Sequence, residues 1–189
     1  TKLKYGPEEK IKISRENWSF EESIDKDLLL NFITEAGNPS NEKKIQDVCL
    51  ELPAQILRSG VIFVDTPGVG SVIKNNTKTT YEFLPKCDAV IFMTSVECPL
   101  SKTEVEFLLD IKQHVSKFFF VVNKMDLVNE AEKKTILEFV KRTLSSILAE
   151  KEVEVFQVSV NKKMGIFELE TAIAAFLQEE RQLVFMENI

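Results

Sequence analysis

The sequence predicts an α/β fold with a mostly parallel sheet and helices on both faces. Three observations lead there. Residues 61–65 (VIFVD), 89–94 (AVIFMT), 118–123 (FFFVVN) and 153–159 (VEVFQVS) are short runs rich in β-branched and aromatic residues. The unbroken apolarity of VIFVD marks a strand buried on both faces. Between these runs lie longer stretches whose apolar residues recur at helical spacing, and strands alternating with helices build parallel sheets. Ligands of such sheets bind at the carboxyl ends of the strands. The loops to search are therefore 65–74, 94–100, 123–130 and 159–165. At 189 residues the chain reads as one domain, 1–189, large enough for a sizeable core.

Segments 2–5 (KLKY) and 10–14 (KIKIS) alternate and predict short strands or a hairpin at an edge. From about Phe20 to Glu35, a cluster of Leu28, Leu29, Leu30, Phe32 and Ile33 predicts a helix, stopped by Gly37-Asn38-Pro39. Residues 45–53 alternate as a strand, placed near an edge by Pro53. Ser59-Gly60 turns the chain into VIFVD, predicted to be a central strand. A helix over about 75–86 precedes AVIFMT. Ser101-Lys102-Thr103-Glu104 then has the pattern of a capping box opening a helix to about His114. After FFFVVN, a helix over 131–149 carries Ile136, Val140, Leu144 and Ile147. After VEVFQVS, a last helix from about Ile166 carries Leu169, Ile173, Phe176 and Leu177.

The composition excludes several function classes. Hydrophobic residues are 44% and charged residues 29%, the mixture of a globular protein, and the formal charge is −6. Nucleic-acid binding needs a basic surface to neutralise phosphates, so no nucleic-acid partner is expected. The lysine pairs 133–134 and 162–163 read as solvated faces. Cys49, Cys87 and Cys98 make no CxxC pair and read as reduced thiols of a cytoplasmic protein. A single histidine, His114, rules against a zinc site of His/Cys type. No apolar run approaches the ~20 residues of a membrane span.

Two strand-end loops carry chemistry. Asp65-Thr66-Pro67-Gly68 ends VIFVD. Asp65 can hold a magnesium-bound water, and Gly68 lets the backbone approach a phosphate without a Cβ in the way. Taken alone, the stretch reads equally as a turn in which Pro67 fixes φ and Asp65 caps. Asn123-Lys124-Met125-Asp126 ends FFFVVN. A carboxylate at Asp126 matches the paired N1–H and N2–H₂ donors on one edge of guanine. Adenine lacks that pair and would leave the carboxylate unpaired. Lys124 can lay its methylene stem over a base plane, and Asn123 can tie the loop to its neighbours. Alone, this loop could simply cap the next helix. Together, one βαβ unit apart, the two loops predict a guanine-nucleotide site. At Ser159-Val160-Asn161 a backbone N–H could donate to guanine O6, although a helix-entry turn explains that stretch as well.

The run VIFVDTPGVGS, FLPKCDAVIFMTSVECPLSKTEVEFLLDI and FFFVVNKMDLV resembles the GTPase domain of dynamin-family proteins, most of all the bacterial dynamin-like ones. The resemblance covers nearly all of the chain. It implies a P-loop GTPase fold and a self-assembling GTPase that couples hydrolysis of GTP to GDP, with Mg2+, to membrane remodelling. It also implies homo-oligomers formed through GTPase domains, and a cytoplasmic protein peripheral to the membrane, which it would reach through helical regions outside these residues. By position, Asp65, Thr66, Pro67 and Gly68 fall on the third GTPase motif, Asn123, Lys124 and Asp126 on the fourth, and Ser159 and Val160 on the fifth. At the fifth the family more often has alanine and lysine after the serine, so Val160-Asn161 departs from the pattern.

The phosphate-cradling pattern GxxxxGK[ST] does not occur among these residues. The chain starts without Met, as TKLKYG, and reads as a partial GTPase domain from which the first strand and P-loop are missing upstream. No catalytic residue is assigned: Val69 stands where small GTPases place a water-orienting glutamine. The chain alone is expected to hydrolyse GTP weakly or not at all. The strands VIFVD and AVIFMT are expected to close the resulting gap by re-pairing or against another copy. Two other readings fit the motifs: a GTPase of translation or ribosome-assembly type, and a non-catalytic interaction module on a GTPase fold.

Overall fold

A computed structural model describes residues 1–15, 22–66 and 83–187. The chain divides into two compact units, Thr1–Thr66 and Pro67–Ile189.

The first unit is a five-stranded mixed sheet of β1 (Lys2–Tyr5), β2 (Lys10–Arg15), β3 (Glu22–Ile24), β4 (Ile45–Leu52) and β5 (Phe63–Val64), in the order β3-β2-β4-β1-β5. β1 runs parallel to β4, and the other pairings are antiparallel. Alternation in β2 sends Ile11 and Ile13 to one face, where they bury with Val48 of β4. Ile24, Leu29 and Phe32 pack against this small core. Charged side chains knit the strands together. Glu51 of β4 accepts a hydrogen bond from Lys12 of β2 at 2.9 Å and pairs with Lys4 of β1 at 3.2 Å. Those two ammonium groups hold its carboxyl below the usual range.

Three expectations are corrected here. The helix expected from Phe20 to Glu35 is formed only in its second half, and there as short pieces. Residues 22–24 are β3, followed by a 3₁₀ turn at Lys26–Leu28 and the single-turn helix α1 (Leu30–Ile33). Ile24 pairs with Ile11 across the sheet, and an isolated short helix has little stability to set against that pairing. The loop after α1 is organised instead by buried Asn38, which donates to Phe32 O at 3.0 Å and accepts from Lys43 N at 2.9 Å. β1, β2 and β4 are inner strands, not edge strands, and β1 and β2 are separated by β4 rather than paired as a hairpin. Pro53 lies just beyond the last residue of β4 and interrupts no ladder. VIFVD is not a central strand: only Phe63–Val64 pair, with β1 alone, and Ile62 is 55% exposed. Here an apolar run fixes neither burial nor a partner.

The second unit holds a three-stranded parallel sheet of β6 (Val90–Ser95), β7 (Phe118–Asn123) and β8 (Val155–Gln157), with β7 in the centre. α2 (Lys102–Ile111), α3 (Glu130–Leu148) and α4 (Ile166–Glu187) follow the strands. Side chains of β7 alternate between faces. Phe120 and Val122 enter a core with Leu108 and Ile111 of α2 and Val140 and Leu144 of α3. Phe119 meets Phe176 of α4 edge-on at 5.9 Å between centroids. The helices thus pack through alternate residues of one central strand. The capping box at Ser101 and Glu104 is formed as expected, and a second one, Asn129 with Glu132, opens α3. Most of the helix expected at 75–86 lies outside the described residues; Leu84–Lys86 form a 3₁₀ turn. Of the strands expected to re-pair or to meet another copy, VIFVD pairs with β1 through Phe63–Val64, and AVIFMT pairs with β7. β5 ends the five-stranded sheet and β6 ends the three-stranded one.

Candidate functional site

The three described strands of the second unit point the same way, so their carboxyl ends bring three loops together. Ser95 of β6 is level with Asn123 of β7, and the Val96 amide donates to Asn123 O at 3.2 Å. Beyond β7 the chain turns sharply at Lys124, which adopts the left-handed conformation (φ 64°, ψ 30°). Two contacts hold it there. The carboxamide oxygen of Asn123 accepts from the Lys124 amide at 2.7 Å, and buried Met125 donates its amide to Val158 O at 3.1 Å.

The same Asn123 oxygen accepts from the Val160 amide at 3.4 Å, tying the loop after β7 to the loop after β8. Ser159, completely buried, makes the second tie: its hydroxyl donates to Asp126 Oδ1 at 2.5 Å and accepts from the Lys162 amide at 3.1 Å. The serine hydroxyl holds the Asp126 carboxyl below the usual carboxylate range. The residue's own amide and the charges of Lys162 and Lys133 add to this, against the opposing effect of burial. Asp126 therefore stays an anion, held by one oxygen at the mouth of the sheet.

Ser159 and Met164 exchange both backbone hydrogen bonds at 3.0 Å, closing the β8 loop into a narrow turn. Gly165 ends this turn with φ +68°, and a Cβ there would lie 1.9 Å from Gln157 O. Only glycine fits that position. Because the Ser159 amide is engaged by Met164 and the Val160 amide by Asn123, neither is idle.

The structure thus brings together Asn123, Lys124, Asp126, Ser159 and Val160. Asp65 and Thr66 belong to the first unit, both exposed at the end of β5, with the Asp65 amide donating to Thr1 O at 2.8 Å. Pro67 and Gly68 lie outside the described residues. Sequence reasoning singled out the loop 94–100 but not its acidic residue. Glu97 pairs with the Lys124 ammonium and accepts from Ser95 Oγ at 3.2 Å. The lysine holds the Glu97 carboxyl below its usual range. A charged residue at the carboxyl end of a parallel strand was the available signal.

Comparison with known proteins agrees with this architecture. The sequence profile described as the dynamin family matches residues 1–126. An uncharacterized protein in the xynA 3′ region of Caldicellulosiruptor sp. strain Rt8B.4 is 36% identical over 197 aligned residues, covering 96% of this chain and 48% of that protein. Dynamin-like protein A of Bacillus subtilis strain 168 is 30% identical over 128 residues, covering 64% of this chain and 10% of that protein. The chain therefore spans about half the length, or less, of these relatives. Among solved structures, a chain of an oligomerised bacterial dynamin pair superposes with a TM-score of 0.67 at 18% identity, covering 91% of this chain and 32% of that one. At that identity the likeness concerns the fold alone. With more than half of its residues matched by the family profile, and a fold to go with it, this chain belongs to the dynamin family.

Proposed function

We propose that residues 1–189 form part of a dynamin-type GTPase domain, and that the loops after β7 and β8 read the guanine base of GTP and GDP. The observation that carries this reading is the Asp126 carboxylate. It is kept anionic and oriented by a buried serine on the next loop, while Asn123 locks both loops to one another. A fixed carboxylate at a strand end matches the adjacent N1–H and N2–H₂ donors of guanine, and adenine offers no such pair. Lys124 supplies an alkyl stem for the base plane. Ser159 acts through Asp126, and Val160 helps to shape the rim.

Asp65, Thr66, Pro67 and Gly68 are proposed to face the phosphates. The exposed Asp65 carboxylate fits a second-sphere role toward Mg2+, a hard cation that keeps several waters and is held through few carboxylates. Bound there, Mg2+ would neutralise charge on the terminal phosphates. In the parent protein we propose GTP hydrolysis coupled to self-association through GTPase domains and to remodelling of a membrane approached from the cytoplasm. Family membership and the bacterial dynamin fold support this. Among the described residues no helix is long and apolar enough to cross a membrane.

The test is a fluorescent-GTP titration with magnesium, on this chain and on a version extended upstream to include a phosphate-binding loop. The extended protein is expected to bind, and Asp126→Ala to weaken it about a hundredfold, the value of two hydrogen bonds to a charged group. If neither protein binds, or if Asp126→Ala binds as well as wild type, the guanine site is refuted and the interaction-module reading takes its place.

A further inference from the structure

We propose that Glu97, on the loop after β6, is a positioning residue for guanine-nucleotide binding: it grips the Lys124 ammonium and so lays the lysine stem in place as a preset wall for the base. The inference rests on the guanine reading above and adds a residue to it.

Lysine has a long flexible stem, and an exposed one ordinarily samples many rotamers. Lys124 is fixed at both ends. At the backbone, the left-handed turn and the bond from its amide to Asn123 Oδ1 set the direction in which the side chain leaves. At the far end, the ammonium pairs with Glu97 Oε2. The anchor is itself built on a fixed base. Glu97 Oε2 accepts from Ser95 Oγ at 3.2 Å, and the Glu97 amide donates back to that hydroxyl at 3.4 Å. Ser95 is the last residue of β6, in register with Asn123. A little further on, the Leu100 amide is clamped to buried Thr94 at 3.0 Å.

Stability does not explain the pair. Its side chains are 47% and 56% exposed, and ion pairs so open to water contribute little to folding. Orientation does explain it. A base plane would use the methylene groups of Lys124, which are apolar, whereas Glu97 uses the ammonium. The two contacts draw on different parts of one side chain, so the nucleotide can bind without breaking the pair. Holding the stem beforehand spares the rotamer freedom that binding would otherwise remove.

The experiment uses the full-length protein and fluorescent GDP, with affinity from titration and dissociation rate from stopped flow. Glu97→Gln is expected to raise the dissociation rate and weaken affinity about two- to fivefold, the range of an exposed charge pair. The association rate and thermal midpoint should stay at wild-type values. Glu97→Asp should recover part of the loss, and high salt should shrink it. In a Lys124→Gln background, Glu97→Gln should change nothing further, which a merely structural role would not produce. Tighter binding by Glu97→Gln would overturn the proposal in favour of a latch that draws the lysine off the base. An equal loss with and without Lys124 would also overturn it. A wild-type protein that ignores GDP, or an Asp126→Ala variant that binds normally, refutes the guanine site and this inference together. Normal Asp126 dependence with a silent Glu97→Gln removes only the inference.

Discussion

The two sheets put the same kinds of residue to different uses. In the first unit, Lys4 and Lys12 close on Glu51 across neighbouring strands, and the glutamate side chain is only 14% exposed. In the second, Lys124 and Glu97 meet above the ends of neighbouring strands, open to water. The difference follows from where the charges sit. Those of β1, β2 and β4 lie along the strands and meet across both a parallel ladder (β1–β4) and an antiparallel one (β2–β4), where they reinforce pairing. Parallel neighbours gather their loops at one end. There Asn123, Ser159 and Ser95 spend their hydrogen bonds on fixing loops, and Asp126 is left oriented toward whatever arrives. A site is legible where polar groups are organised in excess of what the fold requires.

The largest break in this contrast is expected at the turn that closes the β8 loop. Gly165→Val places a branched side chain at φ +68° with its Cβ against Gln157 O. The loss should exceed about 3 kcal/mol, since left-handed strain and a backbone clash act together. Denaturant unfolding followed in the second unit measures it. A midpoint near wild type would show that the Ser159–Met164 turn is not formed as described.

Core truncations sharpen the comparison next. Leu108→Ala and Ile13→Ala each remove a buried aliphatic side chain and should cost about 2–5 kcal/mol. The two cores share no buried residue, so amide exchange should accelerate chiefly in the unit that carries the change. Equal acceleration in both units by either variant would mean that they unfold as one. Helix caps give a smaller effect. Ser101→Ala removes one half of a formed capping box and should cost about 1 kcal/mol. Asp25 precedes a 3₁₀ turn without a side-chain cap bond, and Asp25→Ala should stay within about 0.5 kcal/mol. A reversal of that ranking in thermal unfolding would remove the capping argument.

The same contrast explains what the sequence disclosed. In the second unit each strand is followed by its own helix, so local period, cap and loop coincide, and AVIFMT, FFFVVN and the helix at Glu130–Leu148 were legible nearly to the residue. The loops Asn123–Asp126 and Ser159–Val160 were legible because chemistry and strand end fall together. In the first unit the decisive information is long-range. Nothing local says that Ile24 will pair with Ile11, or that β1 will insert between β4 and β5, so the helical spacing of Leu28–Ile33 does not reveal that residues 22–24 leave the helix for the sheet. Glu97 was missed for a related reason: its partner lies 27 positions along the chain.

The smallest expected effect tests whether the Ser159 hydroxyl tunes Asp126 or merely touches it. That hydroxyl is the first cause of the lowered Asp126 pKa. A carboxyl with a depressed folded-state pKa contributes stability above its unfolded pKa and loses it as pH falls through the folded value. Ser159→Ala should move the folded-state pKa back up toward the ordinary range. Its Asp126 would then protonate at a higher pH than in wild type, and the acid limb of both stability and GDP binding should shift upward. The difference between the two proteins should be constant near neutral pH and should narrow as both carboxyls become protonated. Chemical-shift titration of Asp126, with GDP affinity measured across the same acidic range, reads both quantities. Coincident titrations would leave Asn123 alone to organise the site. An upward shift in the variant would show that the buried serine, two residues beyond β8, sets the charge with which the loop after β7 meets its base.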